Sequence, residues 1–265
     1  ILRRAKFLSK TWNDFLQTCR KLEMVIEEFK HLSKVNGVIK ISEVDETFEK
    51  IYLQCRKKEK RLCSDDEIKL FPYAYKKNPH KDEWALRAKS FLRFKKYLTH
   101  KTSKLNILDL GCGNGWFTGQ LSKDFNHNYF CVDVNLTELE QAARVFDKEY
   151  ITFIYADIFS TSLPTNVFDI VIINSALQYF PSIPVLMKEL LFIIKPYGEI
   201  HIIDTPFYSQ QNLMQCKNRT LKYYHSLGFP EMAKNYFHHT IDELKYLRHR
   251  YLYNPNTMKN KISNQ

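Results

Sequence analysis

The sequence predicts an α/β fold: a doubly wound, mostly parallel sheet behind an N-terminal helical appendage. Three observations predict it. From Leu105 onward, short apolar runs alternate with helical patterns, which implies parallel strands joined by helices. Those runs are apolar almost throughout, as strands covered on both faces must be. Roughly the first hundred of the 265 residues show helical periodicity instead.

In chain order, Leu8, Trp12, Phe15, Leu16, Cys19, Leu22, Ile26 and Phe29 form one helical stripe over residues 4–30. Asn36-Gly37 marks a turn. A second helix follows Asp45, with Phe48, Ile51, Tyr52 and Cys55 on one face, and runs into the charged stretch Arg56–Arg61. A third covers Glu83–Leu98. Strands are then expected at Ile107–Leu110, Tyr129–Val132, Thr152–Tyr155, Asp169–Ile173 and Glu199–Ile203. Helices are expected at Phe117–Phe125, Glu138–Phe146 and Pro184–Ile194. This organisation gives residues 1–100 to the helical appendage and 101–265 to the main domain, with an insertion at about 206–245.

At 44% hydrophobic and 14% aromatic residues, the chain can bury a full core. No apolar run approaches the length of a membrane span. The opening ILRRAKFLSK is too charged for a secretory signal, and with Ile as the first residue the native start is expected to be missing or trimmed. Six scattered cysteines without a CxxC pair fit free thiols in a reduced, cytoplasmic compartment. The net charge of +11 allows nucleic acid or anionic substrates as partners, although a solvated lysine-rich surface accounts for it equally.

The stretch ILDLGCGNGWFT, residues 107–118, is a strand, a glycine loop and a helix start. A P-loop would need Lys-Ser/Thr after its last glycine, where Trp116-Phe117 stands. A dinucleotide loop would place its third glycine at Trp116. Acids end three strands: Asp109 before the glycines, Asp133 in CVDVN and Asp157 in YADIF. They would repel a pyrophosphate. They suit a ligand with a cationic amino-acid end, a ribose and a neutral adenine.

ILDLGCGNG, CVDVN, YADIF and FDIVIINSALQYF together resemble the successive motifs of class I S-adenosylmethionine-dependent methyltransferases, over about residues 84–210. The resemblance implies a seven-stranded sheet, six strands parallel and one antiparallel, with S-adenosylmethionine as cofactor and S-adenosylhomocysteine as product. It implies that Gly111, Cys112, Gly113, Asn114 and Gly115 shape the cofactor loop, with Asp109 facing the methionine ammonium. Asp133 would hold the ribose, Val134 would pack on adenine, and Asp157 and Ile158 would hold its ring. Asn174 or Ser175 would offer a backbone carbonyl near the methionine end, Gln178 and Tyr179 would follow where cofactor and substrate meet, and Arg87 could reach the cofactor carboxylate. The final strand pair of the family is not visible: residues 210–250 read as helical and aromatic, followed by a polar tail.

Methyl transfer needs alignment and dehydration, and a hydroxyl acceptor benefits from a base. Candidates are Asp204, at the end of the fifth strand, and His238 and His239 in the aromatic insertion; His201, mid-strand, reads as structural. No metal-site pattern is visible. NSAL replaces the Pro-Pro-aromatic motif of enzymes that methylate adenine or glutamine amino groups. The sequence therefore points to a small-molecule acceptor: a lipid, quinone-like or natural-product precursor. An RNA methyltransferase, supported by the charge and the basic run, and an inactive methyltransferase-like interaction module stay open beside it. The oligomeric state is not legible.

Overall fold

A computed structural model of the chain describes residues 2–3, 32–74, 76–161 and 163–254. The stripe expected over residues 4–30 lies outside the described residues. The elements are β1 (Leu2–Arg3), β2 (Lys34–Val35), β3 (Val38–Lys40), α1 (Glu46–Lys58), α2 (Asp65–Leu70), α3 (Lys81–Leu98), β4 (Asn106–Leu110), α4 (Trp116–Leu121), β5 (Asn128–Asp133), α5 (Leu136–Val145), β6 (Ile151–Tyr155), β7 (Phe168–Asn174), α6 (Ile183–Ile193), β8 (Ile194–Ile203) and α7 (Leu213–Leu227). Short 3₁₀ turns complete the chain.

The eight strands form one sheet in the order β1-β8-β7-β4-β5-β6-β3-β2. Every pairing from β3 to β8 is parallel. The two edge pairs, β1 with β8 and β2 with β3, are antiparallel. The doubly wound reading holds, but the edges come from an unexpected place. Among the described residues no strand follows β8; the antiparallel neighbour of β8 is β1. The sixth parallel strand is β3, inside the region read as helical. Asn36 and Gly37 do form a turn, at φ 51 and 81, and that left-handed pair suits a tight hairpin. The strands it joins are too short to leave a periodic signal.

Two cores cover the sheet. On one face Leu108, Phe130 and Val171 meet Leu186 and Leu190 of α6. On the other, Ile107, Tyr129 and Ile172 meet Phe91, Phe94 and Leu98 of α3, Phe117 of α4 and Leu139 of α5. Neighbouring residues of one strand thus serve opposite faces, which is why these strands read as unbroken apolar runs. The helix ends follow from local chemistry. Asp45 accepts the Thr47 and Phe48 amides at the start of α1, and Asn135 accepts the Glu138 amide at the start of α5.

A third, smaller core lies outside the sheet. Cys55 of α1, Tyr224 of α7 and Met232 bury one another. It joins the second expected helix to the late insertion. A carboxylate then anchors α1 to the main domain: Glu49 Oε1 accepts the Thr137 amide at 2.8 Å and its hydroxyl at 2.6 Å. No helix among the described residues is long and apolar enough to cross a membrane, and the five described cysteines are free thiols.

Candidate active site

The loop after β4 is shaped by its own backbone and one carboxylate. Gly111 takes φ +74, and a Cβ there would fall 2.4 Å from Cβ of Ala176, so no side chain fits. Gly115 takes φ +69 and opens α4 without a capping side chain. Asp133, at the end of β5, accepts the Gly113 amide at 2.7 Å and the Asn135 amide at 2.9 Å. Burial raises its pKa, against the pull of those amide bonds. Trp116, where a dinucleotide loop would carry glycine, meets the edge of Trp84 of α3 at 5.3 Å. The large side chain binds the N-terminal helix to the loop.

Above this loop, at the carboxyl ends of the strands, opens a cavity of about 540 Å³. Of the residues expected at a cofactor, Arg87, Gly111, Cys112, Gly113, Asn114, Asn174 and Gln178 line it, and so does Asp204. Others stand behind its wall. Asp109 is fully buried under the loop; Thr118 donates to its Oδ2 at 2.7 Å, and Oδ1 has no partner. Burial pushes its pKa up to about 7. Gly115 starts the helix and is buried. Val134 packs against the α3-side core, and Ile158 is buried in the opposite one. Asp157 accepts the Phe159 amide at 3.0 Å in a tight turn.

The histidines divide. His239 has both ring nitrogens engaged, with the Phe180 carbonyl at 2.9 Å and Glu243 at 3.3 Å, and is buried. It holds the insertion against the main domain and has no nitrogen left for a substrate. His238 bonds the Thr220 hydroxyl at 2.9 Å, one side chain behind the cavity wall. Burial and the charges of Lys217 and Arg219 keep its pKa below the usual value. Of the three candidate bases, Asp204 alone reaches the cavity. It sits at φ +50, with Oδ2 buried and unpartnered. Burial raises its pKa, opposed by Ser90 and the charge of Arg87. His201, as expected, is structural: it is buried beside Glu199 at 3.2 Å.

Much of the cavity's upper wall was missed by sequence reasoning. Tyr52 and Arg56 of α1, Arg61 after it, Glu83 and Trp84 of α3, and Glu138 of α5 all face it. The basic run Arg56–Arg61 is not one solvated patch. Lys57, Lys58 and Lys60 point to solvent. Arg56 turns inward to Glu59 at 2.6 Å and to the Tyr179 hydroxyl. Arg61 reaches Glu83 at 2.7 Å, and Arg87 reaches the same carboxylate at 2.8 Å. Burial disfavours the Glu83 charge, but both guanidiniums outweigh it and draw its pKa down to about 2. A signal did exist. Arg56 lies four residues after Tyr52, which places it at the edge of the apolar stripe. Glu138, on the other side, has its pKa raised to about 7 by burial and the Asp133 charge.

The polarity of the cavity is split. On the strand side, Asn174 Oδ1, Gln178 Oε1 and Asp204 Oδ2 are buried acceptors without partners. On the helix side stand guanidinium donors, among them Arg61, whose Nε is also buried and unpartnered. Acceptors opposite cationic donors complement an amino-acid zwitterion, ammonium to one wall and carboxylate to the other. The Gly111–Gly113 backbone leaves room for close approach between them.

A doubly wound sheet with such a loop and an acid after the second of its strands defines a Rossmann-like nucleotide-binding domain. Comparison with known proteins adds a match over part of the chain. Residues 108–202 match the family model described as a methyltransferase domain. This part of the chain, residues 108–202, is thus similar to a methyltransferase domain. Relatives include a 2-methyl-6-phytyl-1,4-hydroquinone methyltransferase of Synechocystis, 29% identical over 99 residues, covering 37% of this chain and 31% of the relative. Another is a malonyl-[acyl-carrier protein] O-methyltransferase of Priestia megaterium, 30% identical over 98 residues, covering 37% and 35%. A solved S-adenosylmethionine-dependent methyltransferase from Thiobacillus denitrificans, in complex with S-adenosylhomocysteine, is 17% identical at a TM-score of 0.42, covering 53% of this chain and 63% of that one. The chain spans at most about half the length of these first curated relatives, including an uncharacterized methyltransferase of Mycobacterium tuberculosis at 49%.

Proposed function

We propose that the chain is an S-adenosylmethionine-dependent methyltransferase acting on a small-molecule acceptor inside the roofed cavity. The observation that carries this reading is the cavity itself: orphaned acceptors and arginine donors at one end, and a chamber of tyrosines at the other. In this reading Arg87 holds the cofactor carboxylate, and Asn174 accepts from the ammonium. Asp133 fixes the Gly113 amide while keeping lone pairs for the ribose hydroxyls. Asp109 supports the loop from beneath. Asp157 and Ile158, which follow β6, remain candidates for the adenine end. When bound, the cofactor supplies an electrophilic methyl group on a sulfonium.

The residues of the chain align the acceptor with that group and exclude water. Tyr52, Tyr179 and Tyr236 meet edge to face, at 5.9 and 6.1 Å. This rigid aromatic wall suits an acceptor with an apolar or ring-shaped part. Asp204 is the group placed to take a proton from a hydroxyl or amine acceptor, and its raised pKa makes it a stronger base than an exposed carboxylate. A position in the cytoplasm goes with this reading. The named acceptors of several relatives, a hydroquinone, a malonyl carrier and a menaquinone precursor, are in keeping with a small-molecule or lipid-like acceptor.

The RNA reading loses its strongest support, because two arginines of the basic run serve the cavity rather than the surface. Calorimetry with S-adenosylhomocysteine tests the proposal. Saturable binding is expected, and it should be abolished by Gly113→Trp and strongly weakened by Asp133→Ala. Affinity unchanged in both variants overturns the proposed cofactor site.

A further inference from the structure

The roof helix α7 has an unusual charge pattern. Its sequence LMQCKNRTLKYYHSL contains Lys217, Arg219 and Lys222 and no acid. The silence extends beyond the helix: between Asp204 and Glu231 the chain contains no Asp or Glu at all. A solvated amphipathic helix ordinarily mixes both signs. Lys217 and Lys222 are exposed, and α7 contributes Arg219, Thr220, Tyr223 and Tyr224 to the cavity.

The other cavity arginines each have a carboxylate partner. Arg56 has Glu59, and Arg61 and Arg87 share Glu83. Arg219 has no carboxylate partner among the described residues; its one contact is Nη2 to Cys216 Sγ at 3.8 Å. It stands at the rim, where water solvates it until something replaces the water. Its field reaches inward to Tyr236 and His238. Burial keeps the Tyr236 phenol in its neutral, donating form. A guanidinium with free donors beside phenolic hydroxyls is suited to an oxoanion, which it can grip with two parallel hydrogen bonds. A cationic head group would meet Arg219, whose own helix carries no acid to offset it.

Resting on the methyltransferase reading, we infer that the acceptor carries an anionic oxoacid group, carboxylate or phosphate, which seats under α7 against Arg219. The apolar remainder of the acceptor faces the tyrosine wall, and the atom to be methylated points toward Gln178 and Asp204. The anion therefore sets which molecules enter and how they lie, while the cofactor's own carboxylate is left to Arg87.

The test is calorimetry on the full chain saturated with S-adenosylhomocysteine, titrated in separate runs with sodium phosphate and with malonate. Wild type should bind one of the two saturably, and the arm that saturates names the source of the anion. Arg219→Gln should weaken that binding at least tenfold, with partial recovery in Arg219→Lys, while S-adenosylhomocysteine affinity stays within twofold. No saturable binding of either anion to the loaded protein overturns the inference and leaves the methyltransferase reading standing. Anion binding that Arg219→Gln does not change overturns it equally. Failure of S-adenosylhomocysteine itself to bind removes the underlying reading, and the inference with it.

Discussion

The floor and the roof of the cavity are built by different means. The floor is the sheet, with its loop held by backbone geometry: Gly111 at φ +74, the Gly113 amide on Asp133, and Asp109 sealed beneath. Its polar groups point at fixed positions. The roof is α1 and α7, joined by the small core of Cys55, Tyr224 and Met232 and lined by ion pairs between long side chains. Ion pairs with partial solvent access are individually weak. The difference teaches where each property resides. In the proposed function, cofactor geometry belongs to the backbone-held floor, and acceptor choice to a roof held together by side-chain contacts.

That contrast can be broken by substitution. The largest effect is expected at Gly111→Val, which puts a branched side chain where a Cβ already falls 2.4 Å from Ala176. Overpacking and left-handed backbone strain together cost roughly 3–5 kcal/mol. Chemical denaturation should show a protein barely folded, without S-adenosylhomocysteine binding. Next is pH. The Asp109 carboxyl, raised to about 7 by burial, keeps its proton in the folded state while the unfolded chain releases it near 4. The folded protein then binds more protons, so stability falls as pH rises from about 4 to about 7. Asp109→Asn should flatten that slope in melts across the range. An unchanged slope would place the charge elsewhere.

Asp133→Ala removes the acceptor of two backbone amides and the proposed ribose contacts. At roughly 1.5–3 kcal/mol for each charged hydrogen bond, affinity for S-adenosylhomocysteine should drop on the order of 100-fold by calorimetry. Tyr224→Ala addresses the roof alone. It should hollow the small core and speed proteolysis within residues 206–245, while S-adenosylhomocysteine affinity moves less than about threefold, well under 1 kcal/mol. A loss as large as that of Asp133→Ala would mean that floor and roof are one unit. The smallest effect belongs to Lys57→Ala with Lys58→Ala. Both are exposed, so the melting temperature should stay within about a degree. A large loss of RNA binding in that double variant would revive the nucleic-acid reading.

The floor was legible in the sequence because it is local. Ile107 through Thr118 encode strand, turn and helix in twelve consecutive residues, and each later strand announces itself by an apolar run ending in Asp133, Asp157 or Asn174. The roof was legible only as a helical appendage and an aromatic insertion, and not as one layer, because it joins segments far apart in the chain. Nothing near Tyr52 or Arg56 announces that Tyr179 and Tyr236 will meet them. His238 and His239 show the same limit. As adjacent histidines among aromatics they read as candidate bases, yet the partners that occupy them, Thr220 and Phe180, are distant in sequence. The edge strands failed for a different reason. Two or three residues are too few to show a period of two, and β1 and β3 take strand form because β8 and β6 offer them unpaired backbone.

Those borrowed edges set a schedule for synthesis. Leu2 finds its partner in Ile200, and Val38 in Phe153. Each of these segments emerges from the ribosome well before its partner and must wait for it. At roughly 5–20 residues per second, the delay for Leu2 is on the order of ten to forty seconds. During that interval the central strands can pair and bury their faces while two rows of backbone donors and acceptors stay uncovered. The sheet is therefore assembled from its middle outward, and its oldest segments close it last.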